Sequence, residues 1–196
     1  MEEEAKARDD AEEEKELDDE LEEMEKKFIG KPNAVATKRI LAEFKGMKRS
    51  KEVSNFKIDF FGNNFSKWQV SIEILKYDLS KDLKADFLQL GSNPKLVFEV
   101  TFPENYPFEP PFVRVVSPIF AFRTGHITIG GSICTESITP SGWSSARNVE
   151  GVFLEIIANM LDGGARLDLN RKGQSYGFEE AKAAFNRVAR DHGWIK

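Results

Sequence analysis

The sequence predicts an α+β fold in which an antiparallel sheet packs against helices. Three observations support this class. A helical apolar pattern covers residues 34–50, alternating apolar and polar residues recur between 56 and 116, and helical patterns return after 147. Strands that follow one another through short turns pair as an antiparallel meander. We therefore expect a four-stranded sheet with the helices on one of its faces.

The chain begins with an acidic stretch that differs from the rest of the sequence. Of its 196 residues, positions 1–27 hold 15 acidic and 5 basic side chains, a local charge of −10 in a chain whose net charge is −5. We predict a helical or disordered extension over residues 1–29 and one core domain over 33–196. The extension is either solvated or docks on a partner or on the chain's own domain. A thin apolar stripe at helical spacing consists of Leu17, Leu21, Met24 and Phe28.

Composition also restricts the compartment and the partners. A single cysteine excludes an internal disulfide framework and fits a reducing compartment. The N-terminal residues contain no apolar run typical of a signal peptide, and no stretch is long enough to cross a membrane. Basic residues are not interleaved with aromatic ones, which argues against nucleic acid. We expect a protein of the cytoplasm, the nucleus or both.

The first helix of the core domain is predicted over residues 34–50, with Asn33 as its cap. Lys38 and Arg39 lie off its apolar face, together with further basic residues. They form either a solvated face or a docking surface for an acidic partner protein. The apolar face consists of Ala36, Ile40, Leu41, Phe44 and Met47.

The strands are predicted from alternation. Residues 56–61 form a short strand before a Gly-Asn-Asn turn, residues 68–74 and 96–102 alternate again, and residues 113–116 make the last strand. Residues 77–94 are predicted as irregular, as a loop or an additional strand.

The part of the chain after the strands is predicted as a long loop followed by two helices. Residues 117–145 have no long regular pattern, and loops of that length are usually functional. From Arg147 an apolar pattern at helical spacing runs to Gly163. A last helix begins at Phe178 and stops at Gly193, followed by Trp194.

The candidate reactive group is Cys134, at the end of Gly130-Gly131-Ser132-Ile133-Cys134. A cysteine in a Gly-rich loop is either a nucleophile or a small apolar residue that fills a gap. Other chemistries lack their motifs: there is no Gly-Lys-Ser/Thr phosphate loop, no serine nucleophile elbow and no usual set of zinc ligands. Any catalysis is therefore expected to depend on this thiol, without a metal or a bound nucleotide.

Taken together, these segments resemble the ubiquitin-conjugating enzymes over residues 33–165, most closely over 96–160. Ser132-Ile133-Cys134 resembles the family's cysteine motif, and Trp143 its following tryptophan. The resemblance implies the family's α+β fold and a ubiquitin thioester on Cys134. A further matching segment, called the proline motif below, is Tyr106-Pro107-Phe108-Glu109-Pro110-Pro111.

Several motifs are similar to the Q-like branch of that family. Gly130-Gly131 before the cysteine, Trp143-Ser144-Ser145 and the Gly193-Trp194 end match it. The usual His-Pro-Asn is absent, and His126-Ile127-Thr128 stands eight residues before Cys134. The oxyanion is then held either by backbone N–H groups of the Gly-rich loop or by the Thr128 hydroxyl.

The resemblance implies supporting residues around the thiol. Glu136 follows the cysteine by two positions and either orients an incoming amine or is a solvated charge. His126 is either an acid–base group or a structural loop residue. His192 and Trp194 are expected to approach the active site, as implied by the Q-like branch.

The resemblance also implies partner surfaces and leaves alternatives open. Lys38, Arg39, Phe108, Ser145 and Ala146 correspond to contacts with the activating enzyme and ubiquitin ligases. Ubiquitin itself is the expected cargo, and ATP is used by the activating enzyme, so no cofactor is expected here. The alternatives are a non-catalytic ubiquitin-binding variant and an interaction scaffold that uses the acidic extension.

Overall fold

A computed structural model describes residues 34–62 and 64–195, together with residues 15, 16, 18, 19, 22, 23 and 26. Those seven residues are helical, whereas the predicted stripe of Leu17, Leu21, Met24 and Phe28 and the predicted cap Asn33 lie outside the described residues. The elements are α1 (Ala34–Arg49), β1 (Phe56–Phe61), β2 (Asn64–Ile72), α2 (Lys81–Leu88), β3 (Leu96–Thr101), β4 (Phe112–Ser117), α3 (Val149–Asp162) and α4 (Phe178–Asp191).

The four strands form one antiparallel meander in the order β1-β2-β3-β4, which confirms the predicted sheet. In the register, Trp68 of β2 is opposite Val100 of β3, and Val100 is opposite Val113 of β4. All three side chains are fully buried and share one face of the sheet. Alternation with period two therefore defines an inner face that carries the core and an outer face.

Helices α1 and α3 cover the inner face. Phe44 of α1 meets Trp68 edge-on at a ring distance of 5.5 Å, and Phe153 of α3 meets Phe98 at 5.3 Å. The predicted apolar face of α1 is buried throughout. Within the part of the chain that the structure describes, no helix combines the length and apolar character needed to cross a bilayer.

Helix α2 corrects the prediction that residues 77–94 are irregular. Ser80 caps the helix because its hydroxyl accepts a hydrogen bond from the Leu83 N–H at 3.2 Å. Leu83 and Phe87, four residues apart, are buried in the core. With only eight residues the helix has too few turns for a periodic signal. Strand β2 also ends earlier than predicted, because Ile74 begins a short 3-10 turn over Ile74–Lys76.

Helix α4 corrects the prediction that all helices lie on one face. Its Phe178 and Phe185 rings contact Phe112 of β4 edge-on at 5.8 Å and 5.6 Å. Phe112 and Arg114 point to the outer face, because they alternate with the inward Val113. The helix therefore covers the outer side of the edge strand β4.

A buried ion pair lies under this cover. The Arg114 guanidinium donates to Glu99 at 3.0 Å and to the carbonyl of Tyr176 at 3.0 Å. Both charged side chains are nearly inaccessible, at 7% and 4% exposure. Such a pair tolerates burial only when its hydrogen bonds are satisfied, so it fixes the position of the chain that enters α4.

Candidate active site

The segment that carries Cys134 folds back on residues 126–128 as a narrow loop. The Cys134 N–H donates to the His126 carbonyl at 2.8 Å, and Ile133 pairs with Ile127 in an antiparallel bridge. The Thr128 N–H donates to the Ser132 carbonyl at 2.9 Å. The predicted long loop is confirmed: every residue from 118 to 148 is described, and its only helical turn is the 3-10 segment Glu136–Ile138.

The two glycines before the cysteine are required by close packing against the C-terminal segment. A Cβ on Gly131 would lie 2.5 Å from Cγ of Tyr176, and one on Gly130 would lie 2.4 Å from the Glu180 carbonyl oxygen. Gly131 also has a φ of 91°, which other residues rarely adopt. The Gly-Gly pair therefore seats the cysteine loop directly on the start of α4.

The Cys134 thiol is half-buried, and burial raises its pKa above the ordinary value for cysteine. At neutral pH the group is therefore mostly a thiol and must lose its proton before it reacts as a nucleophile. Once acylated, the same property makes it a poorer leaving group, which slows spontaneous loss of the acyl group.

Cys134 opens into a groove of about 690 Å³, referred to below as the active-site groove. One wall is formed by residues 122–129, and the other by Arg187, Val188 and His192 of the C-terminal helical segment. The structure thus brings together four of the predicted site residues. These are Cys134, His126, Thr128 and His192.

The first wall has an unusual backbone. Arg123 and His126 have φ values of 61° and 54°, and Gly125 between them has 64°. Non-glycine residues in this left-handed region cost about 1–3 kcal/mol each and persist where the surroundings enforce them. The surroundings include Gly163, where a Cβ would lie 2.6 Å from Cδ2 of the His126 ring. The imidazole of His126 therefore rests against the end of α3.

The turn after α4 positions His192 and Trp194. The Trp194 N–H donates to the Ala189 carbonyl at 2.8 Å and the Gly193 N–H to the Arg190 carbonyl at 2.9 Å, with Gly193 at a φ of 73°. This is the Schellman arrangement, which reverses the chain at a helix end. It stacks the Trp194 indole on the His192 imidazole at 4.5 Å and 15°. His192 lines the groove, and Trp194 supports it from behind.

The predicted oxyanion donors are already engaged within the cysteine loop. The Thr128 hydroxyl pairs with the Ser132 hydroxyl at 2.7 Å and accepts from the Ser132 N–H at 3.0 Å. The N–H groups of Gly131 and Cys134 donate to loop carbonyls at 2.9 Å and 2.8 Å. The N–H groups of Gly131 and Cys134 would have to leave these carbonyls to contact an oxyanion, whereas the Thr128 hydroxyl could still donate if Ser132 is the donor in their pair. Their proposed role stays a prediction.

Glu136 lies outside the groove wall. It is exposed and begins the 3-10 turn Glu136–Ile138, and its carboxylate accepts from the Ser141 hydroxyl at 3.3 Å. The residue before it, Thr135, donates to the Glu155 carboxylate of α3 at 3.2 Å, and Arg147 also contacts that carboxylate. Burial alone would raise the pKa of Glu155, but hydrogen bonds from Ser137 and Arg147 outweigh it and lower the pKa.

Four of the predicted partner contacts are referred to below as the docking surface, a predicted interface that consists of Lys38, Phe108, Ser145 and Ala146. All four are exposed, and the Phe108 side chain is 73% accessible, so it does not pack in the core. The Trp143 indole N–H donates to the Pro107 carbonyl at 2.7 Å, which ties the two loops together.

Arg39 was predicted to contact partners, but its guanidinium is used within the domain. It donates to the Ser145 and Arg147 carbonyls at 3.1 Å and 2.6 Å, and its Nε donates to Glu43 at 2.7 Å. Arg39 therefore holds the loop that carries part of the docking surface.

Glu43 is a functional neighbour that sequence reasoning missed. Its carboxylate, 5% exposed, accepts from the Tyr106 hydroxyl at 3.0 Å and from the Val149 N–H at 2.9 Å, besides Arg39. Burial first, and the Glu43 charge second, raise the pKa of Tyr106. The only signal in the sequence is a carboxylate beside Phe44 on the apolar side of α1, four residues after Arg39.

Comparison with known proteins fits this geometry. A family profile described as "Ubiquitin-conjugating enzyme" matches residues 92–192, and the profile of the RWD domain matches residues 15–128. The two matches overlap over residues 92–128, which contain strands β3 and β4 of the single sheet. Cys134 and the groove wall formed by Arg187, Val188 and His192 lie in the first match only, whereas most of the other wall lies in both.

Curated relatives extend the first match. Ubiquitin-conjugating enzyme E2Q-like protein 1 of Homo sapiens is 34% identical over 140 residues, which cover 69% of this chain and 81% of that protein. An E2Q-like ubiquitin-conjugating enzyme of Drosophila melanogaster is 29% identical over 178 residues, 87% of this chain. The chain spans 56% of the length of the Drosophila protein.

A solved structure shows the same fold at low identity. The crystal structure of a ubiquitin conjugating enzyme E2 from Plasmodium falciparum matches with a TM-score of 0.52 and 22% identity, over 68% of this chain and 90% of that chain. The helices, the meander and the cysteine loop thus define the ubiquitin-conjugating fold. This chain belongs to the ubiquitin-conjugating enzyme family and, within it, to the Q-like subfamily.

Proposed function

We propose that the chain carries ubiquitin as a thioester on Cys134 and transfers it to an acceptor, directly or through a ligase. The observation that carries the proposal is the half-buried thiol of the only cysteine, which lines the active-site groove of about 690 Å³. Family membership supports the chemistry, and no nucleotide is needed on this chain because the activating enzyme uses the ATP.

The first step is a thiol–thioester exchange between Cys134 and the thioester that joins ubiquitin to the activating enzyme. Cys134 loses its proton to solvent or to a groove histidine, and the thiolate attacks the ubiquitin carbonyl carbon on the activating enzyme. A carbon–sulfur bond to Cys134 forms, the bond to the activating enzyme's sulfur breaks, and that sulfur leaves as a thiolate. The groove offers His126 and His192 as proton acceptors.

The second step removes ubiquitin from Cys134. An amine, hydroxyl or thiol of the acceptor attacks the same carbonyl carbon and loses its proton, and Cys134 leaves as a thiolate that is protonated again. The two histidines can accept the proton in this direction as well. Because the pKa of Cys134 is raised, its thiolate is a poorer leaving group and the ubiquitin thioester reacts more slowly. A long-lived thioester suits a carrier of ubiquitin.

The docking surface is proposed to receive the activating enzyme and ubiquitin ligases. An exposed phenylalanine on a fixed loop is the type of anchor that protein interfaces use. Phe108 has this exposure, and the Trp143–Pro107 hydrogen bond and the Arg39 contacts fix the loops on either side of it.

The proposal is tested by incubating the full chain with activating enzyme, ATP and ubiquitin and separating the products on a non-reducing gel. We expect one adduct that a thiol reductant removes. Cys134→Ser should give a reductant-stable ester or no adduct, and Cys134→Ala none. Ser137→Ala, three residues away, serves as a matched control that retains the adduct. Absence of an adduct under conditions that charge another family member would refute the proposal.

A further inference from the structure

The active-site groove is lined by two arginines. Among the described residues that line it are Arg123 and Arg187, and none of them is a carboxylate. Neither arginine forms an ion pair with a described residue, although the chain as a whole is acidic. Unpaired guanidinium groups along one groove attract anions and disfavour cations.

The two arginines lie on different walls. Arg123 belongs to the loop before Cys134, where its guanidinium is 5.1 Å from the centre of the Phe122 ring. Arg187 is exposed on α4, five residues before His192. A segment bound between the walls would meet a guanidinium on either side, and guanidinium groups bind carboxylates through paired hydrogen bonds.

The rim of the groove is apolar. Phe122 and Ile129 are 65% and 58% exposed, which is high for such large side chains, and Val188 faces them from α4. Exposed apolar groups next to a reactive group are a common feature of binding sites. The groove therefore combines apolar contacts with anion recognition.

We propose that this groove selects acceptor segments that carry a carboxylate beside the residue to be modified, together with an apolar side chain. The inference rests on the proposed function, since it names the class of acceptor to which Cys134 transfers ubiquitin. Arg123 and Arg187 bind the carboxylate, and Phe122 and Ile129 contact the apolar side chain. Segments rich in lysine are disfavoured by repulsion from the same arginines.

The test uses the full chain charged with ubiquitin, after ATP has been removed so that recharging stops. Synthetic acceptor peptides carry one nucleophile, with lysine, serine, threonine or cysteine in separate sets. Within each set the flanking residues are leucine with two glutamates, two glutamines or two lysines. Discharge is followed as loss of the thioester per charged molecule, so differences in charging do not affect the comparison.

For the nucleophile that the chain uses, we expect glutamate-flanked peptides to discharge the thioester about three- to tenfold faster than glutamine-flanked ones, with lysine-flanked ones slowest. The preference should shrink at high salt. Arg123→Gln with Arg187→Gln should bring the ratio close to one, and Arg187→Glu should favour lysine flanks. Arg190→Gln, exposed on the same helix but outside the groove, should keep the wild-type preference.

Two results separate the inference from the proposed function. If the wild-type chain forms no thioester, the proposed function fails. If it forms the thioester but discharges equally to all flanks, or if the arginine variants keep the preference, the inference alone is overturned. The groove would then serve another occupant, such as the chain's own acidic stretch over residues 1–27.

Discussion

The docking surface and the active-site groove are built in opposite ways. Behind the docking surface, Glu43 joins α1, the proline motif and the start of α3 through three hydrogen bonds at 2.7 to 3.0 Å. In the groove, by contrast, Arg123 and Arg187 have no described ion-pair partner, and the thiol is only half-buried. One region is fixed by a buried polar network, and the other contains arginines that pair with no described carboxylate.

The difference indicates where rigidity is needed. The proposed role of the docking surface requires its loops to keep one arrangement, and a buried, hydrogen-bonded network favours this. The proposed role of the groove requires groups whose hydrogen bonds are still available. The two regions meet at Glu155, which contacts Arg147 at the docking side and Thr135 next to the cysteine.

The largest expected effect on stability is at Glu43. Glu43→Gln should lower the free energy of unfolding by about 3 kcal/mol, because it removes a buried charge and leaves the Arg39 guanidinium poorly paired. Urea denaturation measures this. Glu52→Gln, on an exposed turn, should change stability by less than about 0.5 kcal/mol. A loss below about 1 kcal/mol at Glu43 would show that the network does not hold the docking end.

The next effect tests the thiol in the open groove. Because burial raises the pKa of Cys134, its alkylation rate by iodoacetamide should rise about tenfold between pH 7 and pH 8 and continue to rise at pH 9. The reaction is read directly, since the chain has one cysteine. A plateau below pH 8 would mean that a groove histidine already draws the proton from the thiol.

A smaller effect concerns the turn that places His192. Gly193→Ala should cost about 1 kcal/mol, because alanine is strained at a φ of 73°, and should loosen the stacked Trp194. Thermal unfolding and tryptophan fluorescence measure both. Gly46→Ala, inside α1 with free space around the added methyl, should instead stabilise the chain by up to about 1 kcal/mol. If both variants changed the stability in the same direction, the assigned turn at Gly193 would be contradicted.

The smallest effect on stability is expected at the docking surface. Phe108→Ala should change the free energy of unfolding by less than about 0.5 kcal/mol, because the side chain is 73% exposed, while ligase-dependent discharge should fall about tenfold. Phe102→Ala, at a buried position nearby, should cost about 3 kcal/mol. Unchanged discharge in Phe108→Ala, at wild-type charging, would remove this residue from the proposed interface.

The sequence predicts most of the elements that pack on the inner face of the sheet. Helices α1 and α3 and the four strands follow from apolar periodicity, because each buries one face against the same core. Periodicity shows that α4 has an apolar face through Phe178 and Phe185, but it does not show which side of the sheet receives it. Helix α2 is too short to produce a periodic signal.

The candidate site is predicted only in part, for a similar reason. Cys134, His126 and Thr128 are close in sequence, so the loop motif identifies them together. No local motif marks Arg187, which reaches the groove because Tyr176 and Glu180 pack on Gly130 and Gly131. The helical or disordered nature of residues 1–29, the location in the cytoplasm or nucleus and the identity of the oxyanion donors stay predictions.

The distance in sequence between the two groove walls has a consequence for synthesis. Cys134 leaves the ribosome about 50 residues before Arg187 and His192, which corresponds to roughly 3–10 s at typical elongation rates. During that interval the residues that form the second wall of the groove have not yet been synthesised, so the groove is completed only after α4 has been translated.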